Sequence, residues 1–131
     1  MAEADTRAKR PLSPHLQIYK PIPTMVMSIL HRVTGSAIYF GMLIVAWWLV
    51  AAATGPAYYE FVNAILSSWL GLLVLIGFTW ALMFHMLGGI RHLIWDTGRL
   101  FEKETSTKLA WITLTGSVVL TVLIWLLAIA A

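Results

Sequence analysis

The chain has 131 residues, of which 60% are apolar and only 11% are charged. A soluble domain has about 45–50% and about 25% respectively, and a domain this short leaves much of its surface exposed to water. The composition therefore predicts a single lipid-embedded domain and disfavours a nucleic-acid-binding protein, a disulfide scaffold or a disordered tail. Cysteine is absent, which excludes iron–sulfur clusters and cysteine nucleophiles held by this chain.

The first element in chain order is an arm, residues 1–23, which we expect to be extended and cytoplasmic. Each proline biases its predecessor away from the α conformation, and four prolines lie here: Pro11, Pro14, Pro21 and Pro23. Composition alone favours a disordered tail as much as an arm that docks along a surface. The first 20 residues contain no apolar run typical of a cleavable signal, and Glu3 and Asp5 are unlike an organelle transit peptide. We expect a bacterial inner-membrane protein.

The rest of the chain, residues 24–131, is predicted to be one three-span domain. Three stretches lack Asp, Glu, Lys and Arg over more than 20 residues each, namely 33–59, 61–90 and 109–131. About 20 helical residues cross the hydrocarbon core of a bilayer, and the alternating pattern of a barrel strand is absent. The fold prediction is therefore an all-α integral membrane anchor of three helices. The first helix is predicted to begin just after Pro23, with Thr24 as a candidate cap.

The charge distribution predicts the direction of these spans. All nine basic residues fall on one side of the three stretches, and the predicted outer loop at 54–63 carries only Glu60. Because basic residues accumulate on the cytoplasmic side, the N-terminus should be inside and the C-terminus outside. The net charge of +3 thus indicates topology rather than a nucleic-acid partner.

Ser28, His31 and Arg32 form one polar face near the start of the first helix, because they are spaced by three and four residues. A hydroxyl and a guanidinium at the membrane boundary can donate hydrogen bonds to a quinone carbonyl beside an apolar slot. The alternative is that Arg32 only reaches out to lipid phosphates.

His85 lies six residues before Arg91, about 9 Å deeper along a helix, where an imidazole needs a partner. It is either a neutral histidine bonded to a carbonyl of a neighbouring helix or a ligand of a metal or haem. Gly88 and Gly89 follow on the same face and would let a flat macrocycle, or a second helix, come close. Arg91 and His92 lie nearer the boundary, where they would meet the propionates of a haem held by His85 or serve as a boundary anchor.

The remaining histidines, His15, His31 and His92, are predicted to lie at the inner boundary or beyond it. None would reach the depth of His85, so a six-coordinate haem would take its second axial ligand from another polypeptide. Asp96, four residues after His92, is either a local partner of that ring or an ordinary solvated acid.

Two motifs resemble the cytochrome b membrane-anchor subunit of succinate dehydrogenase, respiratory complex II. The first contains Arg10-Pro11-Leu12, Leu16, Pro23 and the run Ser28-Ile29-Leu30-His31-Arg32-Val33-Thr34-Gly35. The second is the run His85-Met86-Leu87-Gly88-Gly89-Ile90-Arg91-His92-Leu93-Ile94-Trp95-Asp96-Thr97-Gly98. Both follow the family pattern in order and without a gap, and the resemblance covers about residues 10–131.

The resemblance implies a function for each motif. His85 would be an axial ligand of haem b, with the second ligand supplied by a companion small membrane-anchor subunit. Ser28 and Arg32 would belong to the ubiquinone site, and His31, Arg32 and His92 would lie near the haem propionates. A flavoprotein subunit would oxidise succinate in the tricarboxylic acid cycle, and an iron–sulfur subunit would pass the electrons to ubiquinone. This chain has no dinucleotide fingerprint, so it would contribute no catalytic residue to succinate oxidation.

Two other functions stay open at this point. The chain could anchor a quinol:fumarate reductase, because the pocket residues do not fix the direction of electron flow. It could also be a structural anchor without a cofactor. A reduced-minus-oxidised absorbance spectrum of the membrane complex separates this last class from the other two.

Overall fold

The computed structural model describes residues 18–131, and these residues form four helices without a β-strand. The helices are α1 (Pro23–Thr54), α2 (Pro56–Leu66), α3 (Trp69–Asp96) and α4 (Lys103–Ala130). Residues 1–17 lie outside the described part, and with them most of the predicted arm, His15 and the opening of the first motif. The all-α prediction is confirmed for the described residues.

α1 begins at Pro23, two residues before Met25, where a helix capped by Thr24 would start. Pro23 occupies its first turn, and the extended residue Ile22 precedes it without a side-chain cap. Proline suits this position because its fixed φ matches the helix and its missing N–H has no partner to lose. Thr24 therefore lies inside the helix, and the prediction that it caps α1 is wrong. The helix ends at Thr54, and the next residue, Gly55, has a φ of 141°, which suits a residue without a side chain.

The prediction that residues 54–63 form a loop is wrong, because most of these residues are helical. α2 has 11 residues and begins at Pro56 directly after Gly55. Ser67 and Ser68 then separate it from α3, and the Ser68 hydroxyl caps α3 by accepting a hydrogen bond from the Gly71 N–H at 3.1 Å. The uncharged stretch 61–90 is therefore not one span but the end of a short helix followed by a long one.

Three helices are long and apolar enough to cross a membrane. They are α1, α3 and α4, with mean hydropathies of 1.9, 2.1 and 2.4 over their most apolar windows. Large apolar side chains cover their outer faces, including Phe40, Leu73 and Leu127. Such a surface is suited to lipid rather than water, so the prediction of a three-helix membrane protein is confirmed in length and composition.

α3 runs antiparallel to both α1 and α4 and packs against both of them. α4 faces α3 with residues that are small or carry a hydroxyl: Ala110, Thr113, Ser117 and Thr121. Each of these hydroxyls donates to a carbonyl of its own helix, so the backbones approach without an unpaired polar group. We call the end of the bundle that holds Pro23, Asp96 and Lys103 the basic end, and the end that holds Thr54, α2 and Ala130 the far end.

Candidate functional site at the basic end

His85 lies on α3 in the half of the bundle nearer the basic end, where it faces α1. Its ring is half-buried, and its Nδ1 lies 3.1 Å from the His31 carbonyl oxygen and 3.5 Å from the Thr34 hydroxyl. The Thr34 hydroxyl donates to the carbonyls of Leu30 at 2.8 Å and His31 at 3.1 Å and not to His85, and a carbonyl oxygen only accepts, so Nδ1 is the donor toward the His31 carbonyl. A neutral imidazole protonated at Nδ1 keeps its lone pair on Nε2. The carbonyl bond expected of a structural histidine is thus also the bond that orients a metal-ligating one.

His31 lies at the level of His85, contrary to prediction. The two rings stack with centroids 3.9 Å apart and planes 8° from parallel. The prediction that no other histidine reaches the depth of His85 is therefore wrong for His31, because its depth was judged from its charged neighbour Arg32 and not from the packing of α1 on α3. Parallel rings present their faces to each other, and a ligating imidazole must instead point a nitrogen at the metal about 2 Å away. The pair as arranged does not supply two ligands to one iron.

Glycines make room for these two rings. A Cβ at Gly35 on α1 would lie 3.0 Å from the His85 ring, and a Cβ at Gly88 on α3 would lie 2.5 Å from His31 Nδ1. A Cβ at Gly89 would meet nothing within 4 Å. Gly88 therefore admits the ring of His31 at the point where the sequence suggested a macrocycle or another helix. Gly89 plays no part in this packing.

Arg91 is buried inside the bundle at 5% exposure, on the same face of α3 as Gly88. Its Nε and Nη1 have no hydrogen-bond partner in the described part of the chain, and the same is true of His31 Nδ1. The guanidinium carbon lies 4.9 Å from the centre of the Trp95 ring. An anchor for lipid headgroups would be exposed, so this position disfavours the interpretation of Arg91 as a boundary anchor.

The other predicted site residues lie around this group. The His92 ring is 5.3 Å from the His31 ring, although His92 itself is exposed. Ser28 and Arg32 lie one turn apart on α1, and both are exposed. Asp96 is exposed at the last position of α3.

The residues of this group fit a haem in their donor chemistry. His85 Nε2 makes no hydrogen bond within residues 18–131, so it is free to ligate iron. Buried polar groups are nearly always paired, and the buried nitrogens of His31 and Arg91 are not. A carboxylate acceptor, such as a propionate, would satisfy them.

Sequence reasoning missed Thr34, Gly35 and Trp95 as members of this site. Thr34 and Gly35 follow His31 by three and four residues, and Trp95 follows Arg91 by four. Residues at these spacings share a helix face, so the signal was available once the histidine and arginine were singled out.

These features define a class of protein: a helical membrane protein with three candidate spans and a partly buried cluster of polar side chains at one end. The family described as succinate dehydrogenase/fumarate reductase transmembrane subunit matches residues 6–124. The succinate dehydrogenase cytochrome b556 subunit of Paracoccus denitrificans is 44% identical over 117 residues, which cover 89% of this chain and 90% of the relative.

Other relatives agree with this match. The succinate dehydrogenase cytochrome b556 subunit of Rickettsia felis is 38% identical over 117 residues, or 89% of this chain and 91% of the relative. The mitochondrial succinate dehydrogenase cytochrome B subunit of Schizosaccharomyces pombe is 38% identical over 113 residues, or 80% of this chain and 59% of the relative. The chain therefore belongs to the succinate dehydrogenase/fumarate reductase transmembrane subunit family, and the resemblance noted in its two motifs is confirmed.

Proposed function

We propose that this chain is the cytochrome b membrane anchor of a succinate:ubiquinone oxidoreductase. The observation that carries the proposal is the group around His85: a histidine with a free Nε2, together with the buried, unpartnered nitrogens of His31 and Arg91. Relatives named as cytochrome b subunits of succinate dehydrogenase support the assignment. The same names favour succinate oxidation over fumarate reduction.

In this proposal the chain holds one side of a haem b. His85 is the axial ligand, and a companion small membrane-anchor subunit supplies the other. His31, Arg32, Arg91 and His92 face the propionates, where cationic and N–H donors neutralise two carboxylates. The haem, when bound, supplies one-electron chemistry, and the residues of this chain supply its position and its electrostatic surroundings.

Ser28 and Arg32 form this chain's part of the quinone-reduction site. Both are exposed on α1 near the basic end, where the quinone headgroup and the iron–sulfur subunit would meet. Arg32 donates to a quinone oxygen on which negative charge develops, and Ser28 donates to a carbonyl. Since the two side chains point out of the bundle, the iron–sulfur subunit and the companion anchor complete the pocket.

The basic end faces the cytoplasm in this proposal, and the membrane is the bacterial inner membrane. Of the described basic residues, all six lie at or near that end: Lys20, Arg32, Arg91, Arg99, Lys103 and Lys108. The flavoprotein subunit and the iron–sulfur subunit would dock there, and the chain has no nucleic-acid partner.

The haem assignment is tested by the reduced-minus-oxidised spectrum of the purified complex. We expect a b-type band in the wild type and loss or alteration of the low-spin spectrum in His85→Ala. Thr121→Val is the matched control, because Thr121 is buried on α4 and bonds only its own helix. An unchanged spectrum in His85→Ala would refute the ligand, and a wild-type complex without the band would establish the cofactor-free anchor.

The quinone assignment is tested by comparing two activities of the assembled complex. Losing a hydrogen bond to a charged group costs about 1.5–3 kcal/mol, so Ser28→Ala and Arg32→Leu should each slow succinate–quinone turnover about 10- to 150-fold. Succinate oxidation with a dye that accepts electrons upstream should be unaffected. Ser36→Ala and Arg99→Leu serve as controls, because both remove exposed polar groups from the same bundle. Normal quinone turnover in the first two variants would remove these residues from the site.

The orientation is tested by labelling a cysteine introduced at position 60. A membrane-impermeant thiol reagent should modify Glu60→Cys from the periplasmic side in intact cells, because this exposed residue lies on α2 at the far end. Reaction only after the cytoplasmic face has been opened would reverse the proposed topology.

A further inference from the structure

Trp95 lies against the Arg91 guanidinium near the basic end of α3. The two residues are one turn apart on α3, and the guanidinium carbon lies 4.9 Å from the centre of the indole ring. Nε and Nη1 of Arg91 have no hydrogen-bond partner among residues 18–131. The indole face is therefore the attractive contact that the described structure gives this buried cation, since an aromatic ring presents negative charge at its face.

The indole is itself fixed from the connection between α3 and α4. Its Nε1–H donates to the Leu100 carbonyl at 3.2 Å, and the Phe101 ring stacks on it at 6.2 Å with planes 19° apart. Leu100 adopts a φ of 63°, a left-handed conformation that a leucine takes only when its surroundings hold it there. The indole therefore lies between the connection on one side and the buried guanidinium on the other.

This arrangement controls how strongly the Arg91 charge acts inside the bundle. A guanidinium on a helix this close to the boundary would ordinarily extend to water and be screened. Arg91 instead stays at 5% exposure, one turn from Gly88, whose backbone touches the His31 ring. A charge kept out of water acts more strongly on its neighbours than a solvated one.

We propose that Trp95 is a positioning residue that holds the Arg91 guanidinium in the bundle and so sets the redox potential of the haem ligated by His85. The proposal rests on the proposed function. Trp95 also contacts the His92 ring edge-on, with centroids 5.3 Å apart, and a route through His92 would give a shift that adds to that of Arg91→Leu. A fixed positive charge near a redox centre favours the reduced form, and releasing that charge to water lowers the midpoint potential.

The experiment is a redox titration of the haem absorbance in the assembled complex, with haem content measured alongside. Arg91→Leu should lower the midpoint potential, and Trp95→Leu should lower it in the same direction by a smaller amount. Trp95→Phe keeps an aromatic face and should fall between Trp95→Leu and the wild type. Trp111→Leu is the matched control, because Trp111 is an exposed tryptophan on α4 near the same end, and it should leave the potential unchanged.

The double variant Arg91→Leu with Trp95→Leu separates positioning from an independent effect. If Trp95 acts through Arg91, the double variant has the potential of Arg91→Leu. Additive shifts, or a shift in Arg91→Leu with none in Trp95→Leu, would overturn the proposal, and so would an unchanged potential in Arg91→Leu. If Trp95→Leu fails to assemble, Trp95→Phe decides: a lowered potential supports the proposal and an unchanged one overturns it.

The failure of this inference is distinguishable from failure of the proposed function. A wild-type complex without a b-type band removes both. If the wild-type complex shows the band and Arg91→Leu, Trp95→Leu and Trp95→Phe all keep the wild-type potential, only the inference about Trp95 and Arg91 is removed.

Discussion

The two ends of the bundle differ in the hydrogen bonding of their polar side chains. At the far end the Trp47 indole donates to the Tyr58 hydroxyl at 2.9 Å, and Trp125 donates to the Thr79 hydroxyl at 3.3 Å. At the basic end the buried nitrogens of His31 and Arg91 have no partner in the described residues. The same three long helices run through both ends, so the difference comes from the side chains placed at each end.

The contrast separates groups that hold the fold from groups that await something else. A bonded polar pair stabilises the protein whether or not a ligand is present. A buried group without a partner destabilises the free chain, and it persists where a bound molecule satisfies it. The far end is therefore interpreted as scaffold and the basic end as site.

The largest expected effect breaks the basic end by adding one methyl group. In Gly88→Ala the new Cβ would lie 2.5 Å from His31 Nδ1, so the His31 ring must move and disturb the stacked His85. Overpacking of this kind costs about 1–3 kcal/mol. We expect most of the haem to be lost from the purified complex, measured as haem per protein.

Gly89→Ala is the control for this change, because its Cβ would meet nothing within 4 Å. It makes the same substitution one residue away on the same helix and should keep its haem. Equal haem loss in the two variants would show that helix distortion, and not the histidine stack, determines binding.

A second prediction concerns the sign of an effect rather than its size. Arg91→Leu should weaken haem retention, because a haem propionate loses the guanidinium that binds it. In the haem-free protein the same change should raise stability by about 1–3 kcal/mol or leave it unchanged, since it removes an unpaired buried charge. Thermal unfolding in detergent measures both. Destabilisation of the haem-free protein would mean that Arg91 has a structural partner and that the two ends do not differ.

The smallest expected effect lies at the far end. Trp125→Phe removes the long hydrogen bond to Thr79 and should destabilise the protein by about 0.5–1.5 kcal/mol with or without haem. The absorbance spectrum should not change. Trp69→Phe, at an exposed tryptophan of the same end, controls for loss of the indole itself. A spectral change in Trp125→Phe would extend the site across the membrane.

The sequence predicted the spans well because their signal is local. A run of about 20 apolar residues has few other uses, so three helices followed directly from counting. α2 was missed because charge marks the boundaries in such a count, and the break at Ser67 and Ser68 is uncharged. Gly55 followed by Pro56 did carry a signal, since this pair is typical of one helix ending and another beginning.

The site was predictable in its residues but not in its arrangement. His85 stood out because an ionisable side chain within a span needs a reason. The depth of His31 and the burial of Arg91 depend on how α1 and α3 slide and rotate against each other. The register between α1 and α3 depends on the close approach of Gly35 to the His85 ring and of Gly88 to the His31 ring, which are contacts between residues far apart in sequence.

The short helix α2 has a consequence for the position of His85 along the bundle. Its 11 residues cover about 16 Å, too little to cross the bilayer, so α2 stays at the far end and is joined to α3 through the Ser68 cap. We expect α2 to limit lengthwise movement of α3 in the membrane. From Trp69 to His85 the helix rises about 24 Å, and that fixed length is measured from the far end. In the proposed function the neighbours of His85 determine which ligand it binds, whereas the far end sets the depth in the bilayer at which that ligand is bound.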